Sequence, residues 1–554
     1  MNVVHSPAWP GRHPRVAIVG GGIAGLAAAW FLRGRAEVTI LEAAGRIGGK
    51  LAVGEVAGMT VDVGAEALLA RRPEGVGLVR QIGLGGELVG PGTTAARIWT
   101  RGAFRDLPRR QFMGVPADFA ELERTGILSP EGLARARQDA TLPATPRDGD
   151  VAVAGFVGAR FGAEVVDRLV EPLLGGVYAG RPERLSFEAT LPALAAESRR
   201  HASLAEAAAA LLGPPPAPGP GGAPGRHDGP RPGEPAADGG RPDSEPGGRA
   251  APAPAFATLA GGLGTLPSAL AAASGAAVRT GAAVRELART ASGWRLVTGP
   301  ASAPGAVDAD AVILALPARP AGRLLAGVPG ASPAAAALAE FEYASMAIVT
   351  LAYPAGSFPR PPKGSGYLVP SADGHPVKAV TFSTVKWPHL GTLPAPGGPA
   401  RAAAGAGGEP ADRAAAGPRE PATHIVRCSL GRAGEEALLQ RDDADLIGLA
   451  AADLAAATGV RGRPVAASVT RWGGGLPQYT VGHLDRVRRI RAGVAALGGL
   501  AVCGAAYDGV GVPACVATAR LAADQVLGHL AARPAAAGSR TPGPERGGKW
   551  GHDR

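Results

Sequence analysis

Only three cysteines, Cys428, Cys503 and Cys515, occur in 554 residues, and no two stand in C-x-x-C spacing. A disulfide-stapled secreted fold is therefore excluded, and so few thiols suit a reducing, cytoplasmic setting. No His/Cys cluster has metal-ligand spacing, so no metal site is expected. No run of about 18 apolar residues occurs, which leaves no candidate for a spanning helix. The opening stretch MNVVHSPAWPGRHPR lacks the apolar core of a secretory signal. Aromatic residues make up only 4% of the chain, and no Lys/Arg block is interleaved with them, so nucleic acid is not an expected partner despite a net charge of +10. That charge leaves open an acidic substrate, a peripheral contact with an anionic membrane, or a general arginine bias over the surface.

Glycine (84) and proline (52) are abundant without a strict period, which excludes a fibrous protein. Three stretches hold almost no large apolar residue: 213–255, 394–422 and 533–554. Such segments cannot bury enough surface to offset their ordering entropy, and they are expected to be disordered.

The densest signal is VAIVGGGIAGLAAAWFLRGRAEVTILEAAGRIGGK, residues 16–50. The β-branched run 16–19 predicts a buried strand, residues 23–33 a helix, and 37–41 a second strand that ends at Glu42. Gly20, Gly22 and Gly25 stand in G-x-G-x-x-G order between the first strand and the helix. Gly20 suits the tight turn, Gly22 the approach of a pyrophosphate, and Gly25 close helix–strand packing. The amides that open the helix, at Ile23 and Ala24, face the phosphates with the positive end of the helix dipole. Glu42 suits the two hydroxyls of a ribose and repels a 2′-phosphate.

Further along, 91–205 reads as largely helical. Strands are expected within 275–287, at 293–298 and at 311–317. From 342 the runs EYASMAIVTLAYP, GYLVP, VKAVTFSTVKW and HIVRCSL read as strands of an antiparallel sheet, and LIGLAAADLAAATG as one amphipathic helix.

The continuation AAGRIGGK after Glu42 resembles the E-x-x-x-R-x-G-G pattern of amine-oxidase-type flavoproteins, which makes FAD the expected cofactor. Four longer motifs narrow the resemblance. LVEPLLGGVYAGRPERLSFEATLP (169–192), FATLAGGLGTLPSALA (256–271), RWGGGLPQYTVGH (471–483) and VCGAAYDGVGVPACVATA (502–519) together resemble the FAD-dependent protoporphyrinogen and coproporphyrinogen oxidases of haem synthesis. The closing motif of that family usually ends in Ser-Gly, and here it reads Ala517-Thr518-Ala519-Arg520.

The resemblance implies an α/β fold. A Rossmann-like FAD-binding domain (1–75, 256–320, 481–532) would join an antiparallel-sheet substrate domain (76–90, 321–480) and an inserted, mainly helical domain (91–205). It implies that Arg46 reaches back to the pyrophosphate and that Gly48, Gly49 and Lys50 pass close to the cofactor. Gly64, Ala65 and Glu66 would run beside the isoalloxazine ring, and Val284 would pass the adenine. Gly504, Gly509, Gly511 and Val512 would close the site and lead into a helix whose positive end stabilises reduced flavin.

On the substrate side, Arg71 and Arg72 follow the flavin stretch, and the resemblance aligns Arg72 with a basic residue that pairs with a substrate propionate. Leu173, Gly175 and Gly176 would wall a slot for a flat macrocycle, with Tyr367 opposite. His483 reads as structural or flavin-side rather than as a base. The implied reaction is hydride transfer from a porphyrinogen to the flavin and then reduction of dioxygen to peroxide, in three rounds. Coproporphyrinogen III is the preferred substrate, with hand-over of the product to a ferrochelatase, and protoporphyrinogen IX is the alternative. An amine oxidase, a carotenoid desaturase and a tetrapyrrole-binding flavoprotein without activity stay open as more distant readings.

Overall fold

The computed structural model describes residues 13–214, 255–391 and 422–532. The three segments expected to be disordered fall outside these residues except at their edges.

The run predicted at 16–19 is the strand Arg15–Val19, at the centre of a five-stranded parallel sheet. Its neighbours are Glu37–Leu41 on one side and Ala311–Leu314 on the other, and Ala277–Arg279 and Leu500–Val502 form the edges. Successive side chains alternate between faces. Val16 and Ile18 join a core with the helices Ile23–Leu32 and Val512–Ala532. Ala17 and Val19 join a second core with Ala318–Ala326, Ser332–Ala339 and His483–Ala496. Burial on both faces explains why this strand reads as continuous hydrophobicity rather than alternation. The glycine turn lies at its C-terminal end, where the strand order switches direction, the usual ligand crevice of such sheets.

A seven-stranded sheet runs Ala466–Pro477, Tyr343–Pro354, Thr423–Leu430, Val377–Phe382, Gly366–Leu368, Ala96–Thr100, Ala103–Asp106. It is antiparallel except where Gly366–Leu368 pairs parallel with Ala96–Thr100. The helix Asp443–Thr458 covers one face through Leu446, Ala450 and Leu454. The other face meets the helix Glu171–Tyr178, called the wall helix below.

The helical region has its own core, built around Phe156, Leu169, Leu174 and Phe187. Four of its helices start with an Asp or Ser side chain (Asp118, Ser129, Ser186, Ser203) that accepts an amide of the first turn. Just before the wall helix the backbone widens to π geometry over Val166–Val170. Pro172 lacks the N–H that would tighten this turn.

Several expected boundaries move. Residues 91–205 open with two strands of the seven-stranded sheet before any helix. Residues 76–90 join the first core through Val76, Leu78 and Val79 rather than the sheet domain. Position 321 lies inside the helix Ala318–Ala326, which packs on the parallel sheet. The run VKAVTFSTVKW is a strand only to Phe382 and then turns into the short helix Ser383–Lys386. Among the described residues no helix is long and apolar enough to cross a membrane.

Candidate flavin and substrate site

The three motif glycines do different work. Gly20 has φ +107°, and a Cβ there would lie 2.4 Å from the Ala315 carbonyl oxygen. A Cβ on Gly25 would lie 2.0 Å from the Gly20 carbonyl oxygen, so helix and turn touch backbone to backbone. Around Gly22 a Cβ would meet nothing within 4 Å. Gly22 thus faces open space at the start of the helix Ile23–Leu32, and no side chain caps that helix. Its first amides, at Ile23, Ala24 and Gly25, suit an anion.

Glu42 is already engaged on one side. Its Oε2 accepts from the Gly21 N–H at 2.7 Å and its Oε1 from the Ala44 N–H at 2.8 Å. Each oxygen keeps a lone pair for a hydroxyl. The Glu42 N–H donates to the Arg279 carbonyl and its carbonyl accepts from Ala282, so the chain leading into Val284 runs alongside it.

The segment 46–51 folds over the glycine turn. The Gly48 N–H donates to the Gly21 carbonyl at 2.8 Å. Arg46 is engaged within this segment. Its guanidinium clasps its own loop, donating to the carbonyls of Ile47, Gly49 and Leu51 at 3.1, 2.8 and 3.4 Å. Lys50 keeps exposed surface, yet surrounding protein lowers the pKa of its ammonium, and Cys515 of the C-terminal helix lies within electrostatic reach. A Cβ on Gly64 would lie 2.0 Å from the Lys50 carbonyl oxygen, which in turn accepts from the Ala65 N–H.

The closing motif meets the glycine turn from the other side. Gly504 has φ +126°, and a Cβ there would come within 3.9 Å of Ala24 Cβ in the first turn of the opening helix. Gly509, at φ +142°, admits no Cβ, which would lie 2.8 Å from Ala514 Cβ. Gly511 and the buried Val512 then start the helix Val512–Ala532, with Pro513 in its first turn. Thr518, where the related motif departs from its usual ending, accepts from the Gly504 N–H at 3.0 Å and donates to the Cys515 carbonyl. The Thr518 hydroxyl therefore ties the loop down. A helix start without a side-chain cap, a glycine that faces empty space and a second glycine loop opposite it fit a phosphate-bearing flavin.

Glu66, expected beside the ring, is held by two cations. Lys386 Nζ lies 2.5 Å from its Oε1, and Arg427 Nη1 bonds its Oε2. Arg427 Nη2 also donates to the Gly64 carbonyl at 2.6 Å. Desolvation alone would raise the Glu66 pKa, but the two cations and their hydrogen bonds outweigh it and hold the carboxyl at about 2. Trp472 Nε1 donates to the Val63 carbonyl at 3.0 Å. The Gly64–Glu66 stretch is thus pinned to the seven-stranded sheet. Sequence reasoning missed Lys386 and Arg427; the signal available was an arginine inside an otherwise apolar strand, HIVRCSL.

On the substrate side, Arg71 is exposed and has no ion pair among the described residues. Arg72, which precedes the helix Pro73–Gln81, pairs with Glu74. In the wall helix Leu173 is half-buried, Gly175 is buried and Gly176 is exposed, and a Cβ on Gly176 would lie 3.6 Å from Leu368 Cδ2. Tyr367 does not line that face. Its ring packs with Phe104 and Phe382 in the core beneath the helix Asp443–Thr458, because strand alternation sends neighbours to opposite sides. Leu368 is the residue of that strand that meets the helical region. His483 is fully buried, and burial lowers its pKa to about 4, so it stays neutral.

The chain is similar to coproporphyrinogen III oxidase of Mycobacterium bovis, at 34% identity over 94% of this chain and 98% of that one. It is similar also to coproporphyrinogen III oxidase of Bacillus subtilis, at 29% identity over 93% and 98%. Among solved structures, an Exiguobacterium sp. 255-15 protein designated a protoporphyrinogen oxidase superposes with a TM-score of 0.73 at 28% identity, over 93% of this chain and 99% of that one. Residues 23–527 match the model of the flavin containing amine oxidoreductases, and the chain belongs to that family.

Proposed function

We propose that this enzyme uses FAD and dioxygen to oxidise coproporphyrinogen III to coproporphyrin III in haem synthesis, releasing hydrogen peroxide. The observation that carries the reading is similarity to coproporphyrinogen III oxidases along nearly the whole of both chains. The open space at Gly22, with the Gly504 loop facing the first turn of the same helix, supports a dinucleotide. FAD, when bound, supplies the two-electron acceptor for the macrocycle and the route by which dioxygen becomes peroxide.

The residues of the chain bind and orient. The amides of Ile23, Ala24 and Gly25 hold the pyrophosphate, with Gly22 leaving it room. Glu42 accepts the ribose hydroxyls, and the backbone near Val284 passes the adenine. Gly48, Gly49 and Lys50 close over the cofactor, and Arg46 holds their loop in shape. Gly64 and Ala65 flank the ring, fixed from behind by Glu66. The amides of Gly511 and Val512, at the start of the last helix, would present its positive end to the flavin and favour the negative charge of the reduced form.

Leu173, Gly175, Gly176 and Leu368 would wall a slot for a flat ring system, where fixed orientation and exclusion of water by the bound substrate would account for most of the rate. Arg71 and Arg72 hold propionates. Three buried, unpaired cysteines suit the cytoplasm, and the product would pass to a ferrochelatase that accepts coproporphyrin.

Aerobic turnover of coproporphyrinogen III and protoporphyrinogen IX in parallel, read by porphyrin fluorescence and peroxide release, tests this. Faster coproporphyrin formation is the expected result. Preference for protoporphyrinogen would replace the substrate, and no turnover of either by FAD-loaded protein would overturn the function.

A further inference from the structure

The segment RWGGGLPQYTVGH marks the family resemblance, but apart from Trp472, which holds Val63, the proposed reaction uses none of its side chains. Two of them reach two separate parts of the site. Tyr479 is buried, and its hydroxyl donates to the Ala505 carbonyl and accepts from the Gly509 N–H, both at 2.7 Å. These two groups span the loop between Gly504 and the last helix. One residue earlier, Gln478 Nε2 donates to the carbonyl of Tyr178, the last residue of the wall helix, at 2.8 Å. Its Oε1 fills the space left by Gly180, where a Cβ would lie 2.3 Å away.

The segment itself is fixed. The Gln478 N–H donates to the Glu342 carbonyl at 2.9 Å, and the Tyr479 carbonyl accepts from Ser186 at 2.7 Å. His483 stacks on the Tyr479 ring with centroids 3.7 Å apart. Its Nε2 lies 2.8 Å from the Tyr507 carbonyl, within the same loop. A carbonyl only accepts, so the neutral imidazole carries its proton on Nε2 and donates there.

We infer that Tyr479 is a positioning residue for the flavin loop and Gln478 its counterpart for the wall helix, so that one rigid segment sets the spacing between cofactor and substrate wall. A phenol offers one donor and one acceptor at the end of a stiff ring. Phenylalanine offers neither and would leave the Ala505 carbonyl and the Gly509 amide without partners. The inference rests on the reading that flavin lies against 504–512, but not on the identity of the porphyrinogen.

The test uses full-length Tyr479→Phe and Gln478→Ala. Tyr479→Phe is expected to weaken FAD binding about tenfold, as loss of two modest hydrogen bonds predicts. It should also change the visible circular dichroism and midpoint potential of the bound flavin while leaving the porphyrinogen KM within about twofold of wild type. Gln478→Ala should do the reverse, raising KM with FAD affinity retained. A Tyr479→Phe protein that melts earlier but keeps the wild-type FAD affinity, dichroism and potential would overturn the inference.

Hydrogen exchange on the unaltered protein gives a second reading if Tyr479→Phe does not fold. A Gly509 amide protected with and without FAD supports the inference, and exchange at the rate of an open loop sinks it. None of the flavin readouts needs a porphyrinogen. Weakened FAD binding in Tyr479→Phe, together with no turnover by the wild type, would remove the proposed substrate and leave the positioning role standing.

Discussion

Arg72 and Glu74 meet across the start of one helix, with Nη2 2.5 Å from Oε1 and Nε 3.3 Å from Oε2. The arginine proposed to hold a substrate propionate therefore already has a carboxylate partner. The pair is partly exposed, and such pairs contribute little to stability. It can open for a better-placed carboxylate. Glu74→Gln removes the competitor and is expected to lower the porphyrinogen KM about two- to fivefold, while Arg72→Ala raises it. Steady-state kinetics on both variants checks this, and equal KM values in all three proteins would take Arg72 out of the substrate site.

The glycine turn makes a prediction that separates folding from binding. Gly22 has φ −75° and open space where a Cβ would go, so alanine fits its backbone. Gly22→Ala should leave the melting temperature of the cofactor-free protein unchanged and weaken FAD by about 10- to 100-fold, the effect of one methyl forced into an occupied site. Gly25→Ala, with its Cβ 2.0 Å from a backbone oxygen, should destabilise the protein with or without FAD. Thermal melts and FAD titration of both proteins distinguish the two roles.

Glu66 predicts an acid limb in stability. Its folded pKa of about 2 lies below the usual carboxyl value, so the stabilisation it gives is present above about 4.5 and is lost as pH falls toward 2. Urea melts at pH 6 and pH 3.5 should show a larger loss for the wild type than for Glu66→Gln. Arg427→Met, which leaves Glu66 buried with Lys386 alone, should cost about 3 kcal/mol at neutral pH. Flat pH dependence in the wild type would contradict this account.

Tyr367 carries a buried hydroxyl that has no hydrogen-bond partner among the described residues. Tyr367→Phe should hold stability or raise it by up to about 1 kcal/mol and leave KM unchanged. Leu368→Ala, one residue on, should raise KM. The opposite pattern in kinetics would return Tyr367 to the substrate wall.

The parts of the site legible in the sequence were those carried by local rules. Gly20, Gly22 and Gly25 between a β-branched run and an alanine-rich helix left little choice of local structure, and Glu42 followed from the length of the unit. The strand Ala466–Pro477 is not legible as a strand, because three successive glycines, Gly473–Gly475, interrupt its pattern. The face taken by Tyr367 is not legible, because a short run such as GYLVP does not reveal which of two neighbours points inward. Arg46 is expected at a phosphate from the motif, and that its guanidinium also donates to carbonyls of its own loop is not legible in the pattern.

By itself, then, the sequence determined the glycine cradle, the buried parallel strands and the family, since these depend on residue order over a few tens of positions. Only the tertiary structure decided that Glu66 is held by Lys386 and Arg427, more than 300 positions away. It alone set Thr518 beneath Gly504 and joined the flavin loop to the wall helix through Tyr479 and Gln478. Those pairings depend on which faces of separately formed elements meet. That is settled by the burial of whole cores and by the need of each buried polar group to find a partner, and neither is written in any local pattern.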